Sequence, residues 1–406
     1  MNFIKLLIAL ILVIMLTDNA KAQFSLSGEF RPRTEFNKGY KTLASEGQDL
    51  STFTTQRTRI NAAFKNEFVN TKLVLQDVRL WGGQAQLVQN EDYAVSVHEA
   101  WAEILFTKEL KLKAGRQEVV YDDQRIFGNV GWAQQGRSHD MAILKLEKEF
   151  SLHFGIAHNE NSNTTNNLYE GPDAYKDLQF VWFNKKWERT SLSLLVLNNG
   201  VPVIENNEQV NKYSQTIGGH VSTKFSELVV FNGNLYYQAG KHTSGKDISA
   251  LNLLAELGFK NFTLGYEYLS GNDYNETKKY KSFNPLYGTN HKFNGFMDYF
   301  YVGNHIGSVG LNDIYLKYQH QIKKIGFNAD LHYFTAAAKV AENADSYLGT
   351  ELDLSASWAI NPITKLTFGY SRMFAGESME IIKGGNHSES QQWSYLMLSV
   401  TPPFIK

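Results

Sequence analysis

"FSLSGEFRPRTEF", residues 24–36, alternates apolar and polar along most of its length. Phe24, Leu26 and Phe30 fall on one face, and Glu29, Arg31, Arg33 and Glu35 on the other. Side chains of a β-strand point to opposite faces in turn, so this pattern reads as a strand with one apolar and one polar side. The same rhythm returns in "YSQTIGGHVSTKF" (213–225), "FNADLHYF" (327–334) and "YLGTELDLSASW" (347–358), where Leu348, Leu352, Leu354 and Trp358 face away from Glu351 and Asp353.

The breaks between strands alternate in length. Short polar breaks fall near Val69-Asn70-Thr71, Thr107-Lys108-Glu109, Glu147-Lys148-Glu149, Asn184 to Glu188, Ser226-Glu227, Lys260-Asn261, Lys323-Lys324 and Asn361-Pro362. Longer Asn/Gly/Ser-rich segments lie between them, at 37–52, 83–93, 121–138, 159–175, 199–212, 241–247, 272–307, 336–346 and 375–390. Eight turns and nine loops predict eighteen strands with both ends of the chain on the turn side. Short turns on one rim and long loops on the other are how outer-membrane barrels are built. A soluble β-sandwich or propeller would also alternate. Three features favour the barrel. The strands run to about ten residues or more, enough for a tilted membrane crossing, whereas globular strands average about 5 or 6. Aromatic residues crowd strand ends (Tyr236, Tyr237, Tyr266, Tyr268, Trp358, Tyr370, Phe374, Trp393), as interfacial girdles require. The second face is polar in most strands, leaving no apolar core to seal. The fold expected is all-β: a transmembrane antiparallel β-barrel of about 18 strands, one domain over residues 23–406, with short periplasmic turns and long extracellular loops.

Composition agrees. Phe 26 and Tyr 21 are many, Gly 31 is high and Pro 7 is low, which favours aromatic-bearing strands. The start, "MNFIKLLIALILVIMLTDNAKAQ", has Lys5, an apolar run from Leu6 to Leu16 too short to span a bilayer, and Ala20-Lys21-Ala22 as a cleavage signature. Residues 1–22 therefore read as a signal peptide cleaved near Ala22, and the mature chain as an outer-membrane protein. With Cys 0 there is no disulfide framework. Removing 1–22 takes away two lysines and one aspartate and leaves a formal charge of −2, which points to no nucleic-acid partner. The chain ends "TPPFIK", so the terminal aromatic common in such barrels is followed here by Ile405 and Lys406.

Arginine is unevenly placed. Eight of ten fall between residues 31 and 137: Arg31, Arg33, Arg57, Arg59, Arg79, Arg116, Arg125 and Arg137. Parity turns Arg31, Arg33, Arg57, Arg59 and Arg79 into the lumen, on successive strands and so on one wall. A guanidinium offers a planar fork that grips carboxylates bidentately, which lysine cannot. The bland reading is a bracing ladder to Glu29, Glu35, Asp77, Glu99 and Glu103, but bracing as such needs no choice of arginine over lysine. Arg116 falls with Leu110, Leu112 and Ala114, so it needs either a bulge near Gly115 or a place above the membrane. The segment "GRQEVVYDDQRIFGNVGWAQQGR" (115–137) holds the third long loop. Gly128, Gly131 and Gly136 permit sharp turns, and Phe127 and Trp132 supply apolar anchors. The loop is expected to fold inward and constrict the pore with Arg125 and Arg137; the alternative is a surface loop.

"RPRTE", "QRTRI", "LQDVRLWG", "EAWAE", "GRQ" and "DDQRIFGNVGWAQQGRSHD" together, over residues 28–146, resemble the alginate-export outer-membrane protein family. Elsewhere only strand rhythm and length match, and "SHD" (138–140) departs where an aromatic is expected before Asp140. The resemblance implies an arginine-lined pore passing an anionic polysaccharide, an alginate-like polyuronate, with a periplasmic secretion partner. The conduit would be Arg31, Arg33, Arg57, Arg59, Arg79, Arg125, Trp132 and Arg137. The alternative is a general anion or small-solute porin, which needs only a localised constriction. No enzyme, cofactor or metal is expected. The 11 histidines form no H-E-x-x-H, "NENSN" and "GNDYNE" lack the spacing of a calcium loop, and His139-Asp140, being adjacent on a strand, point to opposite faces. An adhesin would carry its information in 272–307.

Overall fold

The computed structural model describes residues 23–87, 95–160, 169 and 175–405. The expected leader 1–22, and residues 161–163 of "NENSN", lie outside them. The first strands are β1 (Gln23–Lys38), β2 (Ser51–Lys65), β3 (Val69–Leu80), β4 (Ser96–Leu105), β5 (Leu110–Gln117) and β6 (His139–Glu147). They continue with β7 (Phe150–His158), β8 (Asp177–Lys186), β9 (Thr190–Glu205), β10 (Glu208–Lys224), β11 (Val229–Lys241) and β12 (Asp247–Phe259). The last are β13 (Phe262–Leu269), β14 (Leu311–Ile322), β15 (Ile325–Thr335), β16 (Tyr347–Asn361), β17 (Thr364–Ala375) and β18 (Gln391–Val400). Each pairs antiparallel with the next. β18 returns to β1, with Phe30 opposite Val400 and Lys38 opposite Gln392, so the eighteen-stranded barrel is closed. Closure leaves no edge with unpaired backbone groups, which is what lets a sheet cross a bilayer. Past Val400 the chain adds Pro403–Ile405 to β1, and the Phe404 ring lies where a side chain at Gly28 would have to go.

The eight connections on one rim are two to four residues long. On the other rim the loops fall where expected, with one exception. Residues 199–212 are a hairpin: β9 and β10 run on to Glu205 and Glu208 and turn through Asn206 and Asn207, at φ 53° and 65°. Asparagine tolerates this left-handed conformation, and two such residues make a tight hairpin turn. The extended strands rise past the length a bilayer requires, where no apolar outer face is demanded, so their polar composition reads as loop.

Ile60, Leu73, Phe154, Leu194, Leu235, Leu264, Phe327, Phe368 and Leu396 stand exposed on the outer face. A band this continuous suits lipid rather than water. Arg116 shares that face. It pairs with Asp140 at 2.8 Å, with no register shift, at the loop end of β5, so it sits above the band and needs no bulge. The lumen is less polar than the sequence suggests. Leu178, Phe180, Leu195, Leu197 and Tyr236 turn inward and are buried with Ile126 and Phe127 of the third loop. An apolar patch on the inner wall exists because the loop covers it.

Candidate functional site

The loop 118–138 folds into the barrel. Phe127 is fully buried, with its ring 4.9 Å from Phe180 and 5.9 Å from Tyr287. Burying one such ring is worth about 1.5–3 kcal/mol. The loop meets the long loop 270–310 backbone to backbone: Gly128 N–H donates to Tyr287 O at 2.8 Å, and Thr289 N–H to Gln124 O at 3.0 Å. A Cβ on Gly128 would lie 2.3 Å from Thr289 Oγ1, so glycine is required there by closeness. Gly136, at φ 66°, supplies the turn back to β6. Val130 sits at φ 51°, a conformation costly for a β-branched residue and held only by its surroundings.

The arginines of β1 and β2 grip this loop. Arg31 donates to Gly131 O (2.7 Å), Trp132 O (3.2 Å), Ala133 O (3.1 Å) and Gln134 Oε1 (3.0 and 3.1 Å). Arg57 reaches Ala133 O and Gln134 O and pairs with Glu29 at 2.6 Å. Arg59 donates to Gln76 at 2.7 Å and Gln135 O at 3.3 Å. Arg33 donates to Glu35 and to Trp132 O, and its guanidinium lies 4.1 Å from the Trp132 ring centre. Arg31 and Arg57 are directly opposed in the ladder, a like-charge pairing that alone destabilises. Loop carbonyls and Glu29 compensate both. Bracing therefore does demand arginine here: one planar fork collects several carbonyls at once, which an ammonium cannot.

The other conduit candidates divide. Arg125 is fully buried, ion-paired with Glu267 of β13, 3.1 Å from Asn294 Oδ1 and over the Phe293 ring. Arg137 donates to Gly288 O at 3.1 Å, and burial lowers its pKa from the usual arginine value. Both tie the two loops together, and neither lines the two cavities described below. Trp132 stacks on His291 at 4.4 Å. Arg79, bound to Asp77 (2.7 Å) and Gln84 (2.8 Å), keeps a third of its side chain accessible.

The facing wall is acidic and grips the long loop by its N–H groups. Met297 N–H donates to Glu351 at 2.8 Å and Phe296 N–H to Asp353 at 3.2 Å, while Asn294 bridges Glu267 and Asp313. One wall holds carbonyls and the other amides. The loop 272–307 is thus largely an internal plug: Phe283, Met297, Tyr299 and Phe300 are buried, against the adhesin reading. His139 faces in, to Tyr175, and Asp140 faces out. Among the described residues no group of three metal-ligating side chains converges.

Two cavities flank the third loop. The outer one, 460 Å³, lies between Arg33, Lys41, Arg79, Trp132, His291 and Tyr301. The inner one, 690 Å³, runs from Tyr121 and Asp122 to the 148–149 turn. Nearer the turn rim is a second cationic group that sequence reasoning passed over by following arginine alone. Lys72 pairs with Glu99, Lys111 with Glu147 (2.5 Å) and Lys145 with Glu103 (2.8 Å), and Lys113 lies 4.0 Å from the Trp101 ring centre. The signal was present: Lys111 and Lys113 alternate with Leu110, Leu112 and Ala114.

No protein-family model matches the sequence, and no curated protein does. Solved structures do match. OccK11 (OpdR) of Pseudomonas aeruginosa superposes with a TM-score of 0.60 at 12% identity, covering 94% of this chain and 96% of that one. The outer membrane protein opdK of the same organism gives 0.58 at 11%, covering 93% and 99%. OccK2 (OpdF), solved in complex with glucuronate, gives 0.59 at 11%, covering 94% and 99%. The fold is that of these outer-membrane barrels. The expected kinship with alginate-export proteins is corrected: the matching structures are Occ and Opd proteins. Motifs such as R-x-R arise wherever period two sets cations facing a lumen, so they carry little family information.

Proposed function

We propose that this chain is an outer-membrane porin that admits small anionic solutes, with its first binding position in the outer cavity. The observation that carries the reading is the cavity itself. Its 460 Å³ lies within the range of about 300–1,000 Å³ typical of small-molecule sites, and it is closed below by the third loop. Arg79 and Lys41 are its accessible cations, while Arg31, Arg57, Arg59, Arg125 and Arg137 hold the loops that shape it. The glucuronate bound by one structural neighbour is an anion of suitable size. The chain's other partner would be the outer-membrane bilayer, reached after removal of residues 1–22.

Two measurements test this. The mature protein is expected to fractionate with the outer membrane and to migrate faster unboiled than boiled; recovery as a soluble periplasmic monomer would end the porin reading. In planar bilayers under a KCl gradient, the reversal potential is expected to show anion preference despite the net charge of −2. Glucuronate should block current in a salt-dependent way, as the Debye length falls from about 10 Å at 0.1 M to about 3 Å at 1 M. Arg79→Ala with Lys41→Ala should weaken that block at least about tenfold, since one charge-assisted hydrogen bond is worth about 1.5–3 kcal/mol. A cation-selective wild-type channel would refute the anion assignment.

A further inference from the structure

The inner cavity differs in chemistry from the outer one. No arginine lines it, and its acids (Asp122, Glu147, Glu149) outnumber its lysines (Lys148, Lys186), with Glu147 already paired with Lys111. It has instead a fixed aromatic shelf. Trp182 of β8 and Tyr121 of the third loop stack at 4.5 Å and 25°, with His153 of β7 5.1 Å from Trp182. Each ring is held by its polar edge: Trp182 Nε1–H donates to Asp122 at 3.1 Å, and the Tyr121 hydroxyl is hydrogen-bonded with His153 Nδ1 at 2.9 Å. Beside the shelf, period two brings Asn184, Ser191, His220 and Ser222 of β8, β9 and β10 to the same lumen surface.

A flat apolar surface next to hydroxyl, amide and imidazole groups is complementary to a ring that has C–H faces and hydroxyl edges. A simple carboxylate would meet three acids against two lysines there, and an aliphatic solute would strip water from the polar row without replacing its hydrogen bonds. We infer that the inner cavity is a second solute position, which takes neutral polyhydroxylated rings of the pyranose type on the Trp182 shelf. The inference rests on the porin reading but not on anion preference, so a sugar would meet this position independently of the outer cavity.

The test is current through purified full-length mature protein in planar bilayers at 1 M KCl, where charge effects are screened, with glucose added on the turn side. Saturable glucose-dependent current noise is expected, with none from glycerol at equal concentration. Trp182→Ala should weaken the response about three- to tenfold, as expected for loss of one stacking partner. Trp182→Phe should keep it, because the ring remains while the N–H tether to Asp122 is lost. Arg79→Ala with Lys41→Ala should leave it unchanged while weakening glucuronate block, which separates this inference from the anion assignment. Absence of saturable noise in the wild type, or an unaltered response in Trp182→Ala, overturns the inference. If Trp182→Ala lacks the faster unboiled mobility of a folded barrel, Ser222→Leu replaces it: this fills the cavity from β10 and must abolish the response. A protein that forms no channel at all refutes the porin reading, and this inference with it.

Discussion

Arg31→Ala combined with Arg57→Ala is expected to raise single-channel conductance severalfold. Together these two side chains hold loop carbonyls from Gly131 to Gln134. A hydrogen bond from a charged donor contributes about 1.5–3 kcal/mol net, so losing even two shifts the loop toward release by about 3 kcal/mol, a factor above 100. Removing Arg57 also leaves Glu29 without its 2.6 Å partner. The double lysine variant keeps the charge and loses the fork, so the loop should still loosen while anion preference persists. Single-channel recordings of both variants decide the matter. Unchanged conductance in the alanine pair would mean that Phe127 and its apolar surroundings suffice to hold the loop.

Arg125→Ala is expected to lower the temperature at which the heat-modifiable form is lost, far more than Arg79→Ala does. Arg125 and Glu267 are each about 1% exposed and pair across the lumen. Removing one partner of a buried pair costs about 3–5 kcal/mol because the other charge is left without compensation, whereas replacing both is often nearly neutral. Arg125→Met with Glu267→Gln should therefore recover most of the loss, with Asn252 still donating to the oxygen of the new amide. Arg79 is surface-accessible, and its pair with Asp77 belongs to the class worth about 0–1 kcal/mol. Equal melting of Arg125→Ala and wild type would show that the pair does not hold the folded barrel together.

Much of this protein is written locally. A strand's inside and outside follow from parity, so Arg31, Arg57 and Arg59 could be assigned to the lumen, and Leu194 or Phe327 to the lipid face, from spacing alone. Gly128, Phe127 and Trp132 marked a loop able to fold inward, and it does. Parity failed at 199–212, where strands leave the membrane and lose their apolar face, and although it turns Lys113 inward it does not show that Trp101 of β4 meets it.

What the sequence determined by itself was the strand count, the rim of short turns, the lipid-facing band and the wall that bears the arginines. Each depends only on the two-residue period and on the polarity of adjacent positions. What only the tertiary structure decided was what those arginines touch. A guanidinium at position 31 cannot be told from its own neighbours to meet carbonyls 100 residues away, and the pairing of Arg125 with Glu267 spans 142. Such contacts arise because closing the barrel brings two long loops into one lumen. There the charged walls find backbone dipoles of opposite sense, and the space left beside the third loop includes two cavities of different chemistry.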